Sequence, residues 1–327
     1  MWASNYFGKK FLSATSTRIK VFSCYLSTVE PVFEKEIDKV TIVGGGTMGA
    51  GIADIAAQSG FKVTIVDSDE STQKCMVQIV KTLSLSTQKR FPNEPKGAKK
   101  YIDNVLKNIH TNSHIENGCS DADLVIESII ENLNIKKDII HKIETVLPKN
   151  SIIASNTSSL TLSELSDHLN YPENFGGLHF FNPVWKMKLV EVGRSSKTSE
   201  QTVKRLTNFA EDLGKKVVTC NDISGFIVNR LLFPYLLEAL RLYDRGHASV
   251  VDIDTAMKLG AGFPLGPFEV IDRIGLDNVK MIIDGWHFKE PNNPIFFPSL
   301  TLNKLVEEKK LGKKTLHGFY EYKHKMY

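Results

Sequence analysis

The sequence predicts an α/β fold in two parts: a mostly parallel sheet covered by helices and interrupted by an inserted helical hairpin, then an all-α C-terminal domain. Three observations carry that expectation. A glycine-rich turn sits between two short apolar strands, beginning at Lys39. Strand-like and helix-like stretches then follow one another toward Asp222. Beyond Asp222 the pattern becomes helical almost to the end of the chain. A length of 327 residues is enough for two domains, expected at 36–222 and 223–327 behind a leader of residues 1–35. With 42% hydrophobic residues and a mean hydropathy of -0.16, the composition is that of a globular protein.

The leader differs from the rest. Met1 to Val29 has no acidic residue, carries Lys9, Lys10, Arg18 and Lys20, and is rich in Ser and Thr, the composition of a mitochondrial transit peptide. No apolar run approaches the roughly 20 residues that span a bilayer, so no stable membrane insertion is expected. The net charge of +4 is too mild to argue for nucleic acid. Cys24, Cys75, Cys119 and Cys220 are scattered with no C-x-x-C pair, which points to free thiols and to neither a metal site nor a disulfide framework.

The first folded stretch is KVTIVGGGTMGAGIADIAAQSGFKVTIVDSD, Lys39 to Asp69. Val40–Val43 reads as a strand, Gly44-x-Gly46-x-x-Gly49 as the turn, Ala50–Gln58 as a helix stopped by Gly60, and Lys62–Val66 as a second strand. A G-x-G-x-x-G alone is weak. Placed after a strand, before a helix, and followed by Asp67 at 21 residues from Gly46, it is the full dinucleotide-binding pattern of a Rossmann-type domain. Gly44 makes the tight turn, Gly46 lets the backbone approach a pyrophosphate, and Gly49 permits close helix packing. The helix N-terminus offers free N–H groups to the anion. Asp67 would bind ribose hydroxyls and repel a 2′-phosphate. No arginine follows in Ser68-Asp69-Glu70, so the expected cofactor is NAD.

Gln73 to Tyr101 and beyond reads as two polar helices around RFPNEPKG, with the next strand expected at Leu124–Ile126. Between Lys74 and Lys107 eight Lys or Arg face two acids, either a solvated surface or a landing site for a polyanion. The strand Asp123–Glu127 leads into ESIIENLNIKKDIIHKIETVL, read as an amphipathic helix, and Ser151–Ala154 is a short strand ending in SNTSS. Ligands of parallel sheets sit beyond strand C-termini. Thr161 and Glu164 form a capping box for the next helix, which leaves Ser155–Ser159 without a capping role.

The segment GLHFFNPVWKMKLVEV, Gly177–Val192, holds two apolar runs around a turn, with a histidine in one and a glutamate in the other. A symmetric antiparallel register of Leu178–Phe181 on Lys188–Val192 sets His179 opposite Glu191, on one face of the sheet. Core histidines usually just find a partner, but a carboxylate partner fixes the imidazole tautomer and favours the protonated ring, which suits proton removal from an alcohol. After Asp222, GFIVNRLLFPYLLEALRLYDRG begins a helix apolar around most of its surface and expected to be buried on several sides. Asn229 interrupts its first turns.

From about Lys39 to Lys323 the chain resembles the L-3-hydroxyacyl-CoA dehydrogenases of fatty-acid β-oxidation. The resemblance rests on VTIVGGGTMGAGIA, VIESIIENL, ASNTSSL, GLHFFNPV, MKLVEV, GFIVNRLL, AMKLGAGFPLGPFE and GKKT. It implies NAD-dependent oxidation of a 3-hydroxyacyl-CoA, with His179 as general base, Glu191 as its orienting partner, and Ser158 and Asn229 on the reacting oxygen. It implies NAD contacts from Gly44, Gly46, Thr47, Met48, Gly49, Asp67, Glu131, Lys136, Asn182 and Lys314. CoA contacts would come from the hairpin, including Thr82 and Lys89, and the C-terminal helices would form a homodimer. The chain departs from the family pattern at Trp185-Lys186, where smaller uncharged residues are expected, and at Thr82, where serine is usual. Two other readings stay open at this stage: a dehydrogenase of a free hydroxy acid or sugar acid, and a catalytically idle NAD-binding regulator.

Overall fold

The computed structural model describes residues 36–323, so the leader expectation for residues 1–35 lies outside the described residues. The chain runs β1 (Lys39–Val43), α1 (Thr47–Gln58), β2 (Lys62–Val66), α2 (Asp69–Arg90), α3 (Pro95–Leu106), β3 (Ile109–Asn112), α4 (Ile115–Cys119), β4 (Leu124–Glu127), α5 (Leu133–Val146), β5 (Ile152–Ser155), α6 (Leu162–Ser166), β6 (Phe175–Phe180), β7 (Leu189–Arg194), α7 (Glu200–Asp212) and β8 (Lys216–Asn221). Five helices follow: α8 (Val228–Asp244), α9 (Val250–Gly260), α10 (Pro267–Ile274), α11 (Leu276–Lys289) and α12 (Leu300–Glu307).

The eight strands form one sheet in the order β3-β2-β1-β4-β5-β6-β7-β8. All neighbours are parallel except β6 and β7. The order reverses between β1 and β4, which opens a crevice at their C-terminal ends, where open α/β sheets bind ligands. β1, β2, β4 and β5 were legible as near-continuous apolar runs, because a parallel sheet is covered on both faces, whereas the edge strand β8, KVVTCN with no fully buried residue, was not foreseen. β3 was not foreseen: its IHTN is half polar, and only Ile109 is buried on this edge strand. β6 and β7 pair antiparallel in the symmetric register, Leu178 with Val192, His179 with Glu191, Phe180 with Val190.

One correction bears on the site. The helix expected from Glu127 begins only at Leu133, where the Asn132 side chain accepts from the Ile135 N–H and caps it. Ser128–Asn132 is therefore a connection between β4 and α5 and not a helical turn. Glu127 at the end of β4 and Glu131 in this connection both point into polar networks.

The helical region has its own core, including Phe233, Leu236, Leu240, Phe268, Ile271, Ile283 and Trp286. α8 buries Phe233, Leu236, Leu237, Ala239 and Leu240 but leaves Leu231 70% exposed, so it is less enclosed than its composition suggests. The buried carboxylates of Asp254 and Asp272 bind the segment after α12. Asp272 accepts from the Phe319 and Tyr320 N–H groups and the Tyr322 hydroxyl, and Asp254 from the Tyr320 hydroxyl. Three polar contacts join the two parts: Glu191 to the start of α8, Asn229 to the Ser158 carbonyl, and the Lys289 ammonium to Glu164. No helix among the described residues is long and apolar enough to cross a membrane.

Asp54, on the buried face of α1, makes one hydrogen bond, from Gln58 Nε2 at 2.8 Å, and its other oxygen has no partner. Burial pushes its carboxyl up from 3.8 to about 6, against the smaller opposing effect of that bond. A folded-state pKa raised above the unfolded value contributes stability at low pH that is lost as pH rises through about 6. Asp54→Asn is therefore expected to match the wild type near pH 4 and to be more stable above pH 7, by up to about 3 kcal/mol at about 1.4 kcal/mol per pKa unit. Thermal unfolding of both proteins across that range checks this; a difference that does not grow with pH contradicts it.

Candidate active site

The centre of the site is the β6–β7 pair. His179 Nδ1 lies 2.7 Å from Glu191 Oε2, and both side chains are buried, Glu191 completely. An isolated carboxylate in such a place would be very costly. Here Glu191 Oε1 also accepts from the Ile227 and Val228 N–H groups, at 3.1 and 2.8 Å, at the N-terminus of α8. That end of the helix carries partial positive charge and unpaired donors, so it offsets the burial. An ionised carboxylate only accepts, so Nδ1 must carry a hydrogen and Nε2 is the nitrogen left to take a proton.

The ring is held from both sides. Phe181 lies 4.5 Å and Phe226 5.7 Å from the imidazole, centroid to centroid. Phe226 adopts φ of +47°, an uncommon conformation for a non-glycine residue. It packs where a Cβ on Gly193 would come within 2.4 Å of its ring. This fit directs the Ile227 and Val228 N–H groups at Glu191. Phe226 is a positioning element that sequence reasoning missed, for Gly225-Phe226 reads as the start of a helix that in fact begins at Val228.

Ser158 and Asn229 come together from opposite parts of the chain. Asn229 Nδ2 donates to the Ser158 carbonyl at 3.1 Å. The loop that carries Ser158 is tied down by Glu131, whose Oε1 accepts from Thr157 Oγ1 at 2.6 Å, the Ser158 and Ser159 N–H groups at 3.1 Å each, and Ser159 Oγ at 2.9 Å. The Ser/Thr cluster after β5 thus serves this carboxylate. Burial works to raise the Glu131 carboxyl, but Lys136 and these hydrogen bonds together hold it below its ordinary value.

Lys136 is buried, with its ammonium 2.5 Å from Glu127 Oε1 and 3.3 Å from Glu131 Oε2. Glu127, also buried, takes the Ile129 N–H at 2.8 Å and Ser155 Oγ at 2.6 Å. Glu127 was absent from the sequence-derived site. Its burial at the end of β4 and its ties to both Lys136 and Ser155 make it the anchor of the network.

On the cofactor side, Gly44 has φ of +106°, and a Cβ there would sit 2.8 Å from Ser128 backbone atoms. A Cβ on Gly49 would come within 1.8 Å of the Gly44 carbonyl oxygen. Both must be glycine for the fold itself. Gly46 is different: its φ is ordinary at -68°, and a Cβ would meet nothing within 4 Å. The protein gives no internal reason for a glycine there, whereas a pyrophosphate on the open N-terminus of α1 does. Gly46 and Thr47 are exposed, Met48 is half-buried, and the first turn of α1 has no acidic residue to repel an anion. Asp67 accepts from the Gly45 and Ser68 N–H groups, each at 2.7 Å, at the edge of the same turn. The residues present fit a dinucleotide.

The remaining sequence-derived residues lie further out. Thr82, Thr47 and Asn182 line one cleft of about 60 Å³. Lys89 is on α2 with Thr82, its side chain outside the described residues. Lys314 is paired with Asp277, near the start of α11, and not with the other candidate residues. Cys75, Cys119 and Cys220 are free, and burial pushes their thiols up to about 11, 12 and 12, so they are poor nucleophiles. Cys24 lies outside the described residues.

Comparison with known proteins identifies the family. Residues 39–223 match the family model of the 3-hydroxyacyl-CoA dehydrogenase NAD binding domain, and residues 225–322 that of the 3-hydroxyacyl-CoA dehydrogenase C-terminal domain. The chain is 47% identical over 299 residues to the human mitochondrial hydroxyacyl-coenzyme A dehydrogenase, covering 91% of this chain and 95% of that one. It is 48% identical over 288 residues to the Rattus norvegicus protein of the same name, covering 88% and 92%. Among solved structures, the (S)-3-hydroxybutyryl-CoA dehydrogenase of Ralstonia eutropha superposes with a TM-score of 0.80 at 35% identity, covering 88% of this chain and 99% of that one. With both family models matched and most of its length covered, the chain belongs to the 3-hydroxyacyl-CoA dehydrogenase family.

Proposed function

We propose that the chain catalyses NAD-dependent oxidation of L-3-hydroxyacyl-CoA to 3-oxoacyl-CoA, with His179 as general base and Glu191 as its charged partner. The observation that carries this reading is the buried His179–Glu191 pair with the α8 N-terminus on the second carboxylate oxygen. His179 Nε2 takes the proton of the C3 hydroxyl as the C3–H bond breaks. Bound NAD supplies the acceptor for the hydrogen that leaves C3 with its bonding pair. Glu191 stabilises the imidazolium, and its fixed bond to Nδ1 keeps Nε2 toward the substrate. Ser158 and Asn229 orient the reacting oxygen.

Gly44, Gly46, Thr47, Met48, Gly49 and Asp67 hold the cofactor, with Asn182 on its nicotinamide side. Glu131 offers its exposed edge to it, and Lys136, being buried, acts through Glu131. Lys314 reaches the cofactor by leaving Asp277. Thr82 and Lys89 bind the CoA portion. In this reading residues 36–222 form the NAD-binding domain, and residues 223–327 the substrate and dimerisation domain. A homodimer is supported by the exposed Leu231, Leu259 and Phe288 on its helices, at 70, 83 and 86%. Residues 1–35 direct the protein to the mitochondrial matrix, in keeping with the mitochondrial relatives.

The test is NADH formation with short, medium and long 3-hydroxyacyl-CoA substrates beside free 3-hydroxybutyrate. Turnover of the thioesters with the free acid far behind is expected. Comparable turnover of the free acid favours a hydroxy-acid dehydrogenase, and no turnover at all an idle NAD-binding protein.

A further inference from the structure

The β6–β7 connection, Phe181–Lys188, is unusually well fixed for a turn that leaves large side chains in solvent. Val184 is buried against α1, close enough that a Cβ on Gly51 would fall 2.8 Å from its methyl group. The Lys215 ammonium donates to the Val184 carbonyl at 2.6 Å and the Met187 carbonyl at 2.8 Å, bracketing Trp185. The Lys186 and Met187 N–H groups both donate to the Pro183 carbonyl at 3.0 Å. Between these fixed points Trp185 stands 56% exposed. An exposed indole on a backbone held in this way offers a large apolar face whose backbone ordering is already complete before anything binds.

Its location gives that face a use. Trp185 lines the 60 Å³ cleft together with Gln78, Ile79 and Thr82 of α2, Thr47 of α1, and Asn182. The cleft thus runs from the basic hairpin to the turn that follows His179. At about 60 Å³ the cleft takes part of a thin chain along its Trp185 and Thr82 side, leaving its Thr47 and Asn182 edge to the cofactor. A CoA thioester has such a chain, the pantetheine arm, between its nucleotide and the thioester carbon.

The geometry points to Trp185 as a specificity-determining residue that packs its indole against the pantetheine arm, opposite Thr82, and guides the thioester toward His179. This rests on the thioester reading above. Recognition of the arm adds to hairpin binding of the nucleotide and is independent of acyl length.

Trp185→Ala and Trp185→Phe are compared with wild type in the reductive direction, using acetoacetyl-CoA, acetoacetyl-pantetheine and acetoacetyl-N-acetylcysteamine, which lacks most of the arm. For the alanine variant KM should rise about tenfold for both arm-bearing thioesters, a usual consequence of truncating an aromatic anchor, with kcat within about twofold. The N-acetylcysteamine thioester should be unaffected, and phenylalanine should restore most of the loss. A second readout is fluorescence. Of the three tryptophans, Trp286 is buried and Trp2 lies in the leader, so pantetheine should quench the wild type and not the Trp185→Phe variant. An equal KM rise for all three thioesters, a rise confined to the CoA form, or no rise would each overturn the assignment. If wild type turns over none of the three, the thioester reading itself fails.

Discussion

His179→Gln lowers kcat by about 10²–10⁴, the usual worth of positioned acid–base catalysis, with NAD affinity close to wild type. Glutamine keeps a polar group of similar reach in the β6 strand, so the loss reads the base and not the packing. Cofactor affinity is expected to hold because the α1 turn and Asp67, proposed to take the pyrophosphate and the ribose, lie at β1 and β2, several strands from the β6–β7 pair, and the substitution leaves Asn182 in place. Stopped-flow measurement of NADH formation with saturating 3-hydroxybutyryl-CoA, beside an NADH titration of each protein, separates the two. A variant with kcat within tenfold of wild type contradicts a base at this position.

Lys136→Met destabilises the protein by about 3–5 kcal/mol, because it strands the Glu127 carboxylate in a buried site with its charge uncompensated. Glu127 would keep the Ser155 hydroxyl and the Ile129 N–H, two hydrogen bonds but no cation. Exchanging both charges, Glu127→Gln with Lys136→Met, should recover much of the loss, since a buried ion pair replaced as a unit is often near neutral. Urea denaturation checks both. A loss below about 1 kcal/mol in the single variant means that water reaches the pair and the network does not anchor the Ser158 loop.

The sequence was most informative where side-chain periodicity is short. His179 and Glu191 could be paired because alternation in a strand has period two, and few registers keep the apolar residues of both strands on the core face. The dinucleotide turn was legible because each of its glycines has a separate physical reason. Glu131 was misassigned to a helix. The apolar spacing of Ile129, Ile130 and Leu133 carries on into α5, and the Asn132 cap that ends it is a single weak signal. The contact of Asn229 with the Ser158 carbonyl joins residues 71 apart in sequence, and the Phe226 conformation depends on glycines of a different strand. Such long-range fits leave no local pattern. β3 and β8 were missed because they are the two edge strands of the sheet, where few or no residues need be fully buried.

The central claim is that His179 and Glu191 act as one acid–base unit, and a double-mutant cycle on NADH formation from 3-hydroxybutyryl-CoA tests it most directly. His179→Gln, Glu191→Gln and the double variant are compared with wild type, with circular dichroism and NADH binding confirming that each is folded. Glu191 has nothing to stabilise once the base is gone, so the double variant should be little slower than His179→Gln alone. Losses that multiply, so that the double variant falls by the product of the two single effects, would contradict the account.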